Sequence, residues 1–300
     1  MTIVYEFGHA TGGTIDQMSC VVNRWSDQRP FGRDNGESFA AEFVNGQNLL
    51  NQQYPAHFTG CFRTDAGTVF LPHFHGRMLM RPAGMVDRWD AVELAPTLYG
   101  VWGLDEEHVW AWGDRGGTPV MFRWDGTAWS ECSSPPGHVN AMHGTAPDEM
   151  MAVGSQGLIA CYDGHEWTRQ RCPIRTALSS VFVESPDEAY ACGPSSHALL
   201  KGSVYGWSQT AEHDAPIHGV AKYAGRVWLG AGRDGLMELS GSSIVSVQPD
   251  LKAVKFDARD ALVISARDKV AQTTDGESFR WWTLDGVQDV LSEVETRWDY

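Results

Sequence analysis

His73 and His75, in the run Leu71-Pro-His-Phe-His-Gly76, stand two residues apart. On a strand, that spacing turns both imidazoles to one face, as a metal ion asks of its ligands. A zinc or iron centre needs a third protein ligand. No Cys, Asp or Glu stands nearby at ligand spacing, so the pair reads as two turn histidines. The dipeptides Asp125-Gly126, Asp163-Gly164 and Asp275-Gly276 offer carboxylates for acid and base work. A glycosidase needs an asymmetric pair of these about 5 to 10 Å apart. Here they recur at regular places, which assigns them to turns, because Asp-Gly is favoured where a two-residue turn needs positive φ. The run Gly154-Ser-Gln-Gly157 is followed by neither Lys-Ser nor Lys-Thr, so it is not a phosphate cradle. No G-x-S-x-G nucleophile elbow occurs. No catalytic residue, metal or cofactor is therefore assigned.

The elements that must carry these residues repeat. Val101-Trp-Gly-Leu-Asp-Glu-Glu-His-Val-Trp-Ala-Trp-Gly113 followed by Phe122–Trp129 returns as Met142–Gly154 with Cys161–Trp167. It returns again as Val181–Gly193 with Tyr205-Gly-Trp207, and more loosely around Val227–Gly232 and Ala261–Ala266. Gly113, Gly154, Gly193 and Gly232 step by 41, 39 and 39 residues, and Trp89, Trp129, Trp167 and Trp207 by 40, 38 and 40. Each unit holds four short strand-patterned runs separated by turns, and a four-stranded sheet repeated at that period is a β-propeller blade. The apolar second run, Val-Trp-Ala-Trp or Met-Met-Ala-Val, suits a strand buried on both faces. The recurrent Trp has the size to fill the wide gap between blades near the rim.

Six units fit inside the chain, roughly 58–97, 98–137, 138–176, 177–216, 217–250 and 251–286. A seventh is expected from both termini, with Val287–Tyr300 supplying two strands and Thr2–Phe7 and Ile15–Trp25 the others, which closes the ring and removes free sheet edges. Gln28–Pro55 does not fit the period and reads as an insertion at about 28–55 with a short helix around Ser38–Leu50. The expectation is an all-β, seven-bladed β-propeller of about 40-residue four-stranded blades, forming one domain over 1–300.

At these residues the chain resembles bacterial seven-bladed propellers of the WD-repeat, YVTN and neuraminidase-repeat class, which carry repeated V-W-G…V-A-V-G-x-x-G…W-D-G-x-x-W units. The likeness covers most of the chain after about residue 58. The neuraminidase-type Asp box is approached only by Thr273-Thr-Asp-Gly-Glu-Ser-Phe279, with Glu277 at the expected Gly position. That box is structural in its own family, so the resemblance implies a scaffold and no sialidase activity.

Function is then sought on the loops. Blade entrances and the loops after second strands share one rim, placing Tyr99, His138, Arg175, His218 and Lys252 beside Asp114, Arg115, Gln156, Arg233, Asp234, Arg267 and Asp268. Arg and Tyr are favoured interface anchors. His138, His143, His197 and His218 are candidates to converge on the channel. Lys plus Arg number 23 against 38 Asp plus Glu, a net charge of −15 that repels nucleic acid and anionic lipid and favours a cationic partner. The six cysteines form no C-x-x-C pair and read as buried thiols in a reducing compartment, and no leader or membrane-length apolar run occurs, so the cytosol is expected. The resemblance implies a monomeric, non-enzymatic binder, an immunity or antitoxin-type protein that covers a basic toxin. The alternatives are a hydrolase or lyase acting on a carbohydrate or small polar molecule in the channel, and an assembly scaffold.

Overall fold

The second strand of each repeat is apolar on both faces, and only a neighbour on each side can cover it. In blades 3 to 7 these strands are buried almost end to end: Val109–Arg115, Glu149–Gly154, Glu188–Cys192, Arg226–Gly230 and Leu262–Ala266. The computed structural model describes residues 2–14, 16–27, 36–44, 47–54, 57–85 and 88–284. They form seven four-stranded antiparallel sheets, each a meander whose strand order follows the chain. Blade 1 runs from Ile3–Thr14 to Gln47–Tyr54, blade 2 from Phe62–Arg63 to Asp90–Glu93, and blade 3 from Thr97–Gly103 to Trp129–Cys132. Blade 4 runs from Val139–Ala146 to Trp167–Arg169, blade 5 from Ser180–Ser185 to Gly206–Glu212, blade 6 from Gly219–Tyr223 to Ser243–Gln248, and blade 7 from Ala253–Ala258 to Arg280–Thr283. The chain is a seven-bladed β-propeller, with the first strand of every blade on the central channel.

The sequence markers have physical causes. A Cβ on Gly113, Gly154 or Gly193 would lie 2.0, 1.9 or 2.2 Å from the carbonyl oxygen of Thr97, His138 or Ala177, so the chain entering the blade passes where only glycine leaves room. Gly232 shares the period but instead opens the 3-10 turn Gly232–Asp234. Each recurrent tryptophan packs in the cluster its blade shares with the preceding one. Trp129, for example, meets Phe70 of blade 2 edge-on at 5.9 Å.

Blade 1 departs from expectation. All four of its strands come from the N-terminal segment, and the region read as an insertion supplies two of them, Glu37–Val44 and Gln47–Tyr54. The described residues of the expected helix at Ser38–Leu50 form strands instead. Phe39, Ala41 and Phe43 face blade 7, whereas Ala40 faces blade 2, a two-residue period. Glu42, on the same face as Ala40, is buried against Arg81 of blade 2 at 2.6 Å and Arg63 at 3.7 Å. Tertiary contacts on both faces override the helix propensity of Ala-Ala-Glu. The strands expected from Val287–Tyr300 lie outside the described residues, and blade 1 already has its four.

Closure therefore joins the first blade to the last by side-chain packing and scattered hydrogen bonds, not by a shared sheet. Phe7, Met18, Val22 and Phe43 pack with Val263, Val270 and Leu284. Phe7 N–H donates to Arg267 O at 2.8 Å and Ala10 N–H to Ser265 Oγ at 3.0 Å. Asp257 Oδ2 accepts from Thr11 Oγ1 at 2.7 Å and Gly12 N at 2.9 Å. A buried large apolar side chain is worth about 1.5–3 kcal/mol and a neutral hydrogen bond about 1 kcal/mol, so packing dominates the seam. Phe7→Ala is expected to lower unfolding free energy by about 3–5 kcal/mol and Ser265→Ala by about 1 kcal/mol in urea titrations. The reverse order would place closure on the hydrogen bonds.

Candidate functional site

Antiparallel meanders send blade entrances and the loops after second strands to one end of the ring, and the two hairpin turns of each blade to the other. All ten residues selected from sequence fall at the first end, but in separate groups. Asp114, at the end of a second strand, uses Oδ1 to accept Gly117 N at 2.7 Å. Its Oδ2 is buried without a hydrogen bond among the described residues, 3.9 Å from His138 Nδ1. Burial, then the charge of Asp114, raises the Tyr99 pKa, and the Tyr99 ring packs 6.3 Å from Phe74. Gln156 takes a left-handed φ of 55° and lines a depression of about 450 Å3 with Arg175. His218 lies over Gly232, and its pKa is lowered first by burial and then by Arg267, which is itself 3.9 Å from Glu6. Arg115 is engaged with Glu131 at 2.8 Å, and Arg233 and Asp234 stand exposed on their 3-10 turn. This end mixes both signs of charge.

The opposite end is richer in acids, and sequence reading missed it. The first hairpin turns carry Asp105-Glu106-Glu107, Asp148-Glu149, Asp187-Glu188 and Asp260, and the second carry Asp125, Asp163 with Glu166, and Asp275 with Glu277. They lie together: Ala66 N–H donates to Glu106 at 3.0 Å from the next blade, and a Cβ on Gly164 would meet Asp148 at 2.9 Å. The cations here are already matched, Lys201 and Lys222 by Glu188, Arg280 by Asp16, and Arg259 by Asp65. Between blades 4 and 5 this end holds a groove of about 370 Å3 floored by Met150, Met151, Val183 and Val204 and rimmed by Asp148, Glu149 and Asp163. Tyr205, next in the chain, is 85% exposed. The signal was in the repeat itself, since the acids return with the turns at each period.

The Asp-Gly carboxylates hold turns. Oδ1 of Asp125, Asp163 and Asp275 each accepts two backbone N–H groups, two and three residues on, at 2.8 to 2.9 Å. Those bonds lower all three pKa values, that of Asp125 to about 2. Gly126, Gly164 and Gly276 follow with φ of 92°, 89° and 75°. The histidine pair sits in a blade 2 turn, where His73 Nδ1 accepts the His75 N–H at 3.0 Å and so is not free for a metal. Among the described residues no group of three His, Cys, Asp or Glu could hold one. All six cysteines are free, and no described helix is long and apolar enough to cross a membrane.

The channel encloses about 390 Å3. Toward its acidic end Arg259 bonds both oxygens of Asp257, at 3.1 and 3.0 Å, and Asp65 at 2.8 Å. His143, of the four histidines considered for the channel, lines it between Trp102 at 5.5 Å and Phe182 at 4.6 Å. Its Nδ1 accepts the Val183 N–H at 3.1 Å, which places the ring proton on Nε2. His138, His197 and His218 are not on the channel wall. His9 and Lys255, which spacing did not single out, are.

No protein-family model matches the chain, and no curated protein does. Solved structures share the fold at low identity. The WD40 β-propeller domain of Doa1 is 8% identical with a TM-score of 0.66, covering 91% of this chain and 94% of that one. YCF48 bound to D1 peptide is 14% identical with a TM-score of 0.57, covering 80% and 85%. Streptogramin B lyase is 11% identical with a TM-score of 0.57, covering 78% and 86%.

Burial lowers the His143 pKa from 6.5 to about 4, so the unfolded chain takes up a proton there that the folded chain refuses. Stability from this group is complete above pH 6.5 and is lost as pH falls toward 4. In urea titrations the unfolding free energy of His143→Gln, whose amide oxygen can still accept from Val183, should fall less steeply across that window, by about 2–3 kcal/mol. Parallel curves would mean that His143 protonates normally in the folded chain.

Proposed function

We propose that this chain is a non-enzymatic protein-binding propeller that holds a basic partner on its acidic end, and that the partner is a toxin or effector domain it blocks, as an immunity or antitoxin protein does. The observation that carries the reading is the apolar groove between blades 4 and 5, bordered by the carboxylates of Asp148, Glu149 and Asp163. An apolar side chain seated there beside Tyr205 would supply the anchor. The rim acids would steer the approach of a cationic surface and exclude anionic competitors. The net charge of −15 supports a cationic partner. The similar propeller YCF48 is recorded with a peptide, a precedent for polypeptide binding on such a ring.

The mixed-charge end, with Tyr99, Asp114, Arg115, His138, Gln156, Arg175, His218, Arg233, Asp234 and Arg267, is the competing face. A hydrolase or lyase in the channel is the second reading, favoured by the neutral His143 on the channel wall and by the likeness to a lyase propeller.

The test is recovery of a stoichiometric partner from the source cell, followed by binding kinetics. Reversing Glu107, Asp148, Asp163 and Asp187 to Lys together should slow association at least about ten-fold at low salt. Arg115→Ala with Arg233→Ala should leave it unchanged. The opposite pattern would move the interface to the other end. For the immunity reading, co-expression must rescue growth from a toxin encoded beside this chain, and the four-fold reversal must abolish the rescue.

A further inference from the structure

Most described arginines lie against a carboxylate, as Arg115 does against Glu131 and Arg226 against Glu238. Arg169, Arg171 and Arg175 have no carboxylate partner among the described residues, and they fall within seven residues of chain between blades 4 and 5. All three are exposed. With Gln156, Gln170 and Ile174 they line the depression of about 450 Å3, and no described Asp or Glu is on its wall. On a chain of net charge −15, this is a local excess of positive charge.

Backbone contacts hold the patch in shape. Arg169 ends the outer strand Trp167–Arg169 of blade 4, and Gln170 N–H donates to Ile159 O at 2.8 Å. The extended pairing thus runs one residue further, and Arg169 and Arg171, two apart, project to one side. Gly157 N–H donates to Thr176 O at 3.0 Å and Leu178 N–H to Gly154 O at 3.0 Å, which ties the linker carrying Arg175 to the turn carrying Gln156. A Cβ on Gly157, at φ 66°, would lie 2.3 Å from Ile174 O, so only glycine admits this approach. Cys172 and Ile174 pack against the cluster that blades 4 and 5 share. Arg169 spends one N–H on Pro136 O, at 3.4 Å.

We propose that this patch docks an acidic segment of another polypeptide, rich in Asp and Glu, laid across the three guanidiniums. An exposed ion pair is worth little by itself, so a single small anion would be held weakly. A segment that brings several carboxylates to several guanidiniums on a fixed backbone adds those small gains without having to order the site. Each guanidinium presents a planar fork that meets a carboxylate through two N–H groups. The surplus of acids elsewhere repels such a segment, so the patch is where it can settle. The patch does not rest on the basic-partner reading, and its test uses no toxin.

The probe is a rhodamine-labelled oligoglutamate peptide. Its anisotropy should rise on titration with the full chain at low salt, and the affinity should fall as salt is added. Arg171→Glu with Arg175→Glu should weaken binding at least about ten-fold. Arg88→Glu with Arg233→Glu makes the same change in net charge at other exposed positions and should leave the affinity within about two-fold. Urea midpoints of both double variants equal to that of the parent separate loss of the site from loss of the fold. No binding of the peptide, equal losses in the two double variants, or unchanged affinity in Arg171→Glu with Arg175→Glu would overturn the patch. Displacement of the peptide by an equal concentration of inorganic phosphate would overturn the segment in favour of a small oxyanion. Self-association of the parent that Arg171→Glu with Arg175→Glu abolishes would overturn the separate partner in favour of a second copy, whose turns carry Asp105-Glu106-Glu107.

Discussion

A four-stranded sheet with two apolar faces cannot stand alone in water, and everything else in this molecule follows from covering both. Strands such as Glu149–Gly154 and Leu262–Ala266 bury nearly every residue because each blade is packed between two others. A row of such sheets would leave one apolar face bare at each end. Bending the row into a ring removes both ends, and the tryptophans near the rim fill the wedge that bending opens between neighbouring blades. Where the first and last blades meet, the same covering occurs without strand exchange: Phe7, Met18 and Phe43 fill against Val263, Val270 and Leu284.

Committing the apolar surface to the ring leaves turns, channel and outer edges for recognition. Because the sheets are antiparallel meanders, the turns joining first to second and third to fourth strands face one way, so the acids that recur in those turns gather at one end. The cations on that end are consumed in pairs such as Arg259 with Asp65 and Lys222 with Glu184. Charge is thus sorted by topology, giving one acid-rich end and one mixed end joined by a channel.

Sequence reading succeeded where a physical requirement recurs. Gly113, Gly154 and Gly193 mark one tight passage of backbone past backbone, and Asp125, Asp163 and Asp275 mark one turn, so period alone exposed both and also argued against their being catalytic. It failed at blade 1, where the markers are missing. Ser38–Val44 offers Ala-Ala-Glu to a helix, and only its neighbours, Arg81 on one side and Trp282 on the other, make it a strand. The site fared similarly. The ten chosen residues share an end, as loop order dictates, but spacing could not say that Arg115 is spent on Glu131 or that His143 lines the channel with its Nδ1 held by the Val183 N–H.

The amino-acid sequence by itself determined the repeat, the sheets, their number and the sign of the net charge, because each depends on contacts within a blade or on a sum over residues. Tertiary structure alone decided how the ring closes, which end is acidic and which polar groups meet in the channel. Those depend on residues far apart in the chain, as with Thr11 and Asp257, whose hydrogen bond exists only after the first and last blades come together.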